Sequence, residues 1–292
     1  IVWDRSSFTE TMLRAREALG WEATRAEAAR ARAAGRWVGV GVASYVELTG
    51  IGSAIPVSPG MPVPTGTEAA TIRMDPSGTV TAVFGIASHG QGLETTLAQV
   101  VADELGVPLE TVRVLHGDTA LSPYGTGTYA SRSTVLAGGA GILASRDVRE
   151  KLLRIAAHLL EADPADLVVQ DGRVGVRGVP DRHVTMRDVA KAAYGGVRSL
   201  PRGMEPGLEA TRFYDPYYGT ASNATHMAVV EVDRETFGVR ILRYLVGEDC
   251  GRIINPLVVD GQVQGGVAQG VGAALLEEIV YDGEGQLLTG TL

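Results

Sequence analysis

The sequence predicts an α+β fold in which mixed sheets, built largely from hairpins, are covered by helices. Paired runs of alternating and branched residues flank short turns, as at 68–75 and 79–86 around Pro76-Ser77-Gly78. Leu93, Leu97, Val100, Val101 and Leu105 recur instead at helical spacing. Hairpins interspersed with helices in this way argue against a doubly wound parallel sheet.

From the start of the chain, a helix is expected over 8–33 and a strand over 37–46. A linker rich in Pro and Gly, 49–67, leads to the first hairpin. Helix 93–105 follows, then strand 112–116, a glycine-containing loop, and a long apolar, alanine-rich helix over 133–161 that Asp163-Pro164 ends. Short strands 167–170 and 173–177 form a second hairpin around Asp171-Gly172, and 186–194 reads as a small helix. The stretch 195–212 is mixed loop and strand. A third hairpin pairs 224–233 with 239–249 and precedes a glycine-rich helix.

Three segments carry chemistry. The first is Ser88-His89-Gly90-Gln91-Gly92-Leu93-Glu94, where a strand gives way to a helix. Glycine permits close backbone approach, the free N–H groups of a first helical turn attract oxygen, and Gln91 can both donate and accept. A plain tight turn is the competing account. The second is Gly125-Thr126-Gly127-Thr128-Tyr129-Ala130-Ser131-Arg132-Ser133-Thr134. Ser133 or Thr134 can cap the helix that follows, whereas a guanidinium among hydroxyls and N–H groups suits a polyanion.

The third segment runs Asp249-Cys250-Gly251-Arg252-Ile253-Ile254-Asn255-Pro256, with Asn255 as a helix cap and proline in the first turn, and continues as Asp260-Gly261-Gln262-Val263-Gln264-Gly265-Gly266 through Gln269 to Glu277-Glu278. At about 100° per residue, Gln262, Gly265 or Gly266, and Gln269 share one face. Each glycine costs about 1 kcal/mol relative to alanine in a helix, so a close approach is needed there, either by another helix or by a ligand.

In this order the three motifs resemble the large, molybdopterin-binding subunit of the xanthine dehydrogenase, aldehyde oxidase and aerobic carbon monoxide dehydrogenase family, over nearly all of the chain from Gly39 onward. The resemblance implies a molybdenum-molybdopterin cofactor, in the cytosine dinucleotide form usual for bacterial members. It implies cofactor contacts at Gly90, Gln91 and Gly92, at Ala130, Ser131, Arg132 and Ser133 along the phosphate or nucleotide tail, and at Gln262. Gln269 is a weaker match, since it can serve packing alone. The resemblance further implies oxidative hydroxylation of an aldehyde, an N-heterocycle or carbon monoxide with water. Electrons would pass to partner subunits carrying iron–sulfur centres and FAD, and large subunits would pair with each other.

The family's metal-side glutamate has no match here. Gly283-Glu284-Gly285 follows Tyr281-Asp282 and precedes Gln286-Leu287-Leu288, which reads as a solvated hairpin turn. That glutamate is expected downstream of Leu292, and the family's first cofactor-binding domain before Ile1. Residues 1–66 are accordingly read as the end of that preceding domain and its linker, and 67–292 as the second cofactor-binding domain, incomplete at its C-terminal end. No catalytic residue and no direct metal ligand is assigned within the chain.

Composition fits a folded piece: 292 residues, 45% hydrophobic and 21% charged, can bury a sizeable core. A net charge of -8 and the absence of basic blocks argue against nucleic acid or anionic membranes as partners, and the arginines of 14–36 alternate with Ala and Glu as on exposed amphipathic helices. With Cys250 as the single cysteine, no internal disulfide or cysteine cluster can form, so iron–sulfur centres require another subunit. No apolar run approaches the roughly 18 residues of a membrane span, and a cytoplasmic location is the expectation. His89, His116, His158, His183 and His226 show no metal-ligand spacing, and no Gly-x-Ser-x-Gly elbow is present, which disfavours zinc and serine hydrolases. Every motif read here binds, and none is an acid or base. A module that cradles a nucleotide or pterin without chemistry is therefore the alternative function.

Overall fold

A computed structural model describes residues 7–55, 66–122, 124–196 and 198–291. Most of the linker expected at 49–67 lies outside them. The first helical stretch is two helices, α1 (Phe8–Leu19) and α2 (Trp21–Ala33), because Gly20 between them takes a left-handed conformation (φ 67°) that ends one helix and starts the next. Strand β1 (Trp37–Thr49) follows, then β2 (Glu68–Met74) and β3 (Val80–Phe84), α3 (Leu93–Leu105), β4 (Val112–Leu115) and the long α4 (Ser133–Leu160). The chain continues through β5 (Leu167–Gln170), β6 (Arg173–Val176), β7 (Val179–Thr185), α5 (Met186–Tyr194), β8 (Glu209–Tyr214), β9 (Thr220–Val232), β10 (Val239–Asp249) and α6 (Pro256–Leu275). Strand β7 was not separated by the sequence pattern, since its first five residues are all exposed and give no burial alternation. Strand β8 falls in the stretch read as mixed loop and strand.

These elements form two compact units, one of Leu48–Ala221 and one that joins the chain up to Glu47 with the chain from Ser222 onward. In the first unit a four-stranded sheet has the order β4-β3-β2-β8. Its β2/β3 and β2/β8 pairs are antiparallel, and β3 runs parallel to β4 with α3 as the crossover between them. Helix α4 packs on β2 and β8 and alongside α3. Phe84, Ile72, Met74, Leu97, Leu105, Leu136, Leu152 and Ile155 are all buried between these layers, each worth roughly 1.5–3 kcal/mol of transfer free energy. A three-stranded antiparallel sheet, β5-β6-β7, completes this unit.

The second unit has a three-stranded sheet of order β1-β9-β10, with α1 against β10. Its core is small: Ala15, Leu19, Ala28, Val38, Met227 and Val229. Arg243 on β10 donates to the Leu19 carbonyl at the C-terminal end of α1, a favourable place for a cation. Helix α6 starts as its sequence predicts, with Pro256 at the first position and the Asn255 side chain accepting from the N–H groups of Leu257 and Val258. It is nonetheless a helix without a single buried residue. The Gly283-Glu284-Gly285 segment is an exposed turn held by the Asp282 carboxylate, which accepts from the N–H groups of Glu284 and Gln286 beside one antiparallel bridge between Tyr281 and Leu287.

Candidate functional site

The first two motifs meet at one end of the four-stranded sheet. Residues 85–92 leave β3 and enter α3, and residues 125–132 lead into α4. Thr128 links them: its hydroxyl oxygen accepts from the Ala87 N–H (3.1 Å) and from the Ser133 hydroxyl (3.1 Å). Gly85 and Gly125 lie against each other so closely that a Cβ on either would overlap the other loop's backbone and the Glu68 carboxylate. Both glycines are therefore required by packing around Glu68.

Glu68 and Arg132 lie at the centre of this junction. Arg132 Nη1 donates to Glu68 Oε2 at 2.7 Å and to the Gly127 carbonyl at 2.5 Å, while Nη2 reaches the Thr67 carbonyl at 3.1 Å. The guanidinium also lies 5.2 Å from the centre of the Tyr129 ring. Side-chain exposure is 1% for Arg132 and 0% for Glu68. Burial pushes the Glu68 carboxyl up from its ordinary value, and the hydrogen bond and charge of Arg132, with the N–H groups of Ala69 and Thr126, pull against that shift.

The sequence reading pointed the Arg132 guanidinium at a polyanion. In the structure it is turned inward onto Glu68, so its contribution to the loop is position, not a charge offered to solvent. Two residues before it make that turn possible. Ala130 (φ 46°) and Ser131 (φ 54°) both adopt the left-handed conformation, which costs a non-glycine residue roughly 1–2 kcal/mol. Strain of this kind concentrates at ligand-binding segments. Ala130 and Ser131 are exposed at the tip of the loop. Neither Ser133 nor Thr134 caps α4: the cap position is Arg132 with no side-chain bond, and the Ser133 hydroxyl is directed to Thr128.

In the first loop Gly90 (φ 99°) and Gly92 (φ 77°) take the backbone angles that glycine favours. The Gln91 side chain folds back over its own turn, with Oε1 accepting from the His89 N–H at 2.6 Å. A backbone N–H only donates, so this contact engages the amide oxygen and leaves the NH2 end outside it. Glu94 accepts its own backbone N–H, which with His116 and Ser88 holds its carboxyl below the usual range. One N–H of the first turn of α3 is thus taken up by the helix's own glutamate.

Gln262 stands on α6, in the other unit, and is exposed, as is Gln269. Along α6 a Cβ added to Gly261, Gly265, Gly266 or Gly270 would meet open space. Among the described residues, no group of three or more His, Cys, Asp or Glu side chains is placed to hold a metal ion, and no helix is long and apolar enough to cross a membrane. The donors on the two loops are an amide, hydroxyls and backbone N–H groups. They fit a ligand presenting acceptor oxygens, and the glycine positions fit close approach of a flat group, as a pterin with its phosphate requires.

A model of the molybdopterin cofactor-binding domain matches residues 14–292. The chain belongs to that family. It is 39% identical over 289 residues to the nicotine 6-hydroxylase large subunit of Paenarthrobacter nicotinovorans, covering 99% of this chain and 35% of the relative. It is 37% identical to the carbon monoxide dehydrogenase large chain of Hydrogenophaga pseudoflava, covering 99% of this chain and 36% of that one. Among solved structures, quinoline 2-oxidoreductase from Pseudomonas putida 86 superposes with a TM-score of 0.89 at 43% identity, covering 98% of this chain and 36% of that one. The chain thus spans about a third of the length of the relatives it matches. The mixed helix and sheet architecture expected from the sequence is that of this domain.

Glu68, Thr128 and His116 were not singled out as site residues by sequence reasoning. Glu68 begins a strand far from Arg132 in sequence, and a lone carboxylate has a structural role by default. The signal that was available was Arg132 itself, since a guanidinium placed directly before an apolar helix needs an anion or a carboxylate beside it.

Proposed function

We propose that this chain is the molybdenum cofactor-binding part of a molybdenum hydroxylase, holding a molybdopterin in its cytosine dinucleotide form. The observation that carries the reading is the junction of the two loops on the sheet end, where Glu68 and Arg132 underlie a strained segment, Ala130-Ser131, and Thr128 ties that loop to the one that carries Gln91. Gly90, Gln91 and Gly92 contact the cofactor from one loop. Ala130, Ser131 and Ser133 line the tail from the other, with Arg132 setting that loop in place. Gln262 contributes a further amide on the glycine-rich α6.

The cofactor, when bound, supplies the two-electron chemistry by which water-derived oxygen is placed on a carbon centre. The chain's own residues bind and orient it through neutral donors, and no acid or base of this chain acts on substrate. The substrate is a small molecule, an aldehyde, an N-heterocycle or carbon monoxide. Relatives are named as hydroxylase and dehydrogenase large subunits, and electron transfer to iron–sulfur and FAD subunits, pairing of large subunits and a cytoplasmic location belong to the same reading. Residues 67–292 are its second cofactor-binding domain and 1–66 the end of the one before. The bare α6 supports the C-terminal incompleteness of that second domain, because an apolar helix with no buried residue needs a cover from outside the described residues.

Metal and nucleotide analysis of the intact subunit from its native host tests the proposal: molybdenum by mass spectrometry and cytosine monophosphate released by acid. Stoichiometric amounts of both are expected. Folded protein containing neither would overturn it in favour of a binding module without redox chemistry.

A further inference from the structure

We propose that Ser88, Glu94 and His116 are positioning residues that hold Gln91 with its amide nitrogen outward, so that this loop acts on the cofactor as a hydrogen-bond donor. The inference rests on Gln91 being a cofactor contact. It starts from topology: β3 and β4 are parallel neighbours, so His116, just past β4, is brought beside Ser88, just past β3. The Gly117 N–H to Ile86 carbonyl bond (3.3 Å) ties the two exits together.

Around that junction the bonds close a ring. The Ser88 N–H points at His116 Nδ1 (3.5 Å), and His116 Nε2 meets Glu94 Oε1 (2.9 Å). An Nδ1 that accepts requires the proton on Nε2, which sets His116 as donor to Glu94. The Ser88 hydroxyl reaches Glu94 Oε2 at 2.9 Å and Gln91 Oε1 at 3.4 Å, and it accepts from the Gly90 N–H at 3.4 Å. An ionised Glu94 has only acceptors, so it claims the Ser88 proton and leaves the Ser88 oxygen to receive Gly90. That arrangement holds the 88–90 turn in the shape that lets the His89 N–H bind Gln91 Oε1.

The order of these groups excludes a nucleophile. The carboxylate stands between hydroxyl and imidazole, so His116 takes no proton from Ser88 Oγ, as a triad would require. Nor is the first turn of α3 left wholly open to an anion, since the Glu94 carboxylate accepts its own backbone N–H there. What the cluster does is fix the direction of one amide.

A double-mutant cycle on the intact, molybdenum-loaded subunit tests this, with Gln91→Ala, Glu94→Ala and the two combined. Molybdenum loss on dialysis, the Mo(V) resonance spectrum and the thermal midpoint are followed. Glu94→Ala is expected to speed molybdenum loss about tenfold, at the low end of what partners that orient a metal's ligands contribute. It should shift the Mo(V) spectrum as Gln91→Ala does, and the double variant should lose metal no faster than Gln91→Ala alone. His116→Ala should behave as Glu94→Ala does. Additive losses, or an unchanged rate in Glu94→Ala, would overturn the positioning role while leaving Gln91 in the site. An unchanged rate in Gln91→Ala would remove Gln91 from the site and the positioning role with it. Glu94→Gln, which keeps the shape of the side chain but not the ionised pair of acceptors, carries the same test if Glu94→Ala does not fold.

Discussion

Glu68 and Arg132 meet at 2.7 Å inside the protein, and from that one contact the guanidinium reaches the carbonyls of Thr67 and Gly127 while the carboxylate packs between Gly85 and Gly125. The pair therefore joins the start of β2, the exit of β3 and the segment leading into α4. Two motifs separated by more than thirty residues are held as one surface by a bond between residues that present no charge to solvent.

Removing Arg132 leaves the Glu68 carboxyl buried with only the N–H groups of Ala69 and Thr126 to offset its burial. Arg132→Ala is expected to destabilise the subunit by about 3–5 kcal/mol, and replacing both members with apolar residues, as in Arg132→Met with Glu68→Leu, should cost less than Arg132→Ala. Thermal midpoints of the three proteins measure this. Equal midpoints for wild type and Arg132→Ala would show that the pair does not hold the junction.

Gly125→Ala should be harmful to a lesser degree. Its Cβ would run into the Gly85 carbonyl and the Glu68 carboxylate, and forcing such overlap costs roughly 1–3 kcal/mol. The expected result is a lowered midpoint together with reduced molybdenum content. A variant that keeps both would mean the two loops can separate without consequence.

On α6 the opposite sign is expected. A Cβ at Gly266 meets open space, so Gly266→Ala should favour the helix by about 1 kcal/mol and leave the midpoint of cofactor-free subunit unchanged or higher. If the glycine face of Gln262 is reserved for close approach, cofactor content in the loaded form should fall nevertheless. Unchanged content would assign these glycines no part in binding.

Acid stability reports on the second unit. Glu231 accepts from Arg36 and Arg240, and the Arg36 hydrogen bond first, then Arg240, brings its carboxyl from an ordinary 4.5 to about 2. A pKa depressed by folding contributes stability that is fully present above about 4.5 and is lost as pH falls toward 2. The midpoint of Glu231→Gln should accordingly vary less with pH across that window than the wild type's. Parallel curves would sink the assignment.

Local pattern was enough for much of the fold. Helical spacing at Leu93, Leu97 and Leu105 located α3, and Asn255-Pro256 located the start of α6, because caps and periodicity act within a few residues. Gly20 split a helix that periodicity alone left whole, and β7 escaped notice because its exposed residues carry no alternation. The candidate loops were legible as motifs, but the role of Arg132 within them was not. Whether a guanidinium faces a ligand or a carboxylate depends on what the chain brings to it from afar, here Glu68.

The sequence by itself determined the family, the order of the three motifs and most helix and strand positions, since each is written in neighbouring residues. The tertiary structure decided which groups are offered and which are consumed. It placed Glu68 under Arg132, Thr128 between two loops and His116 beside Ser88, and it folded Gln91 Oε1 back onto the His89 N–H. The physical reason is that a polar group inside a protein must find its partner in three dimensions, and the parallel pairing of β3 with β4 and the packing of α4 on the sheet bring those partners into reach.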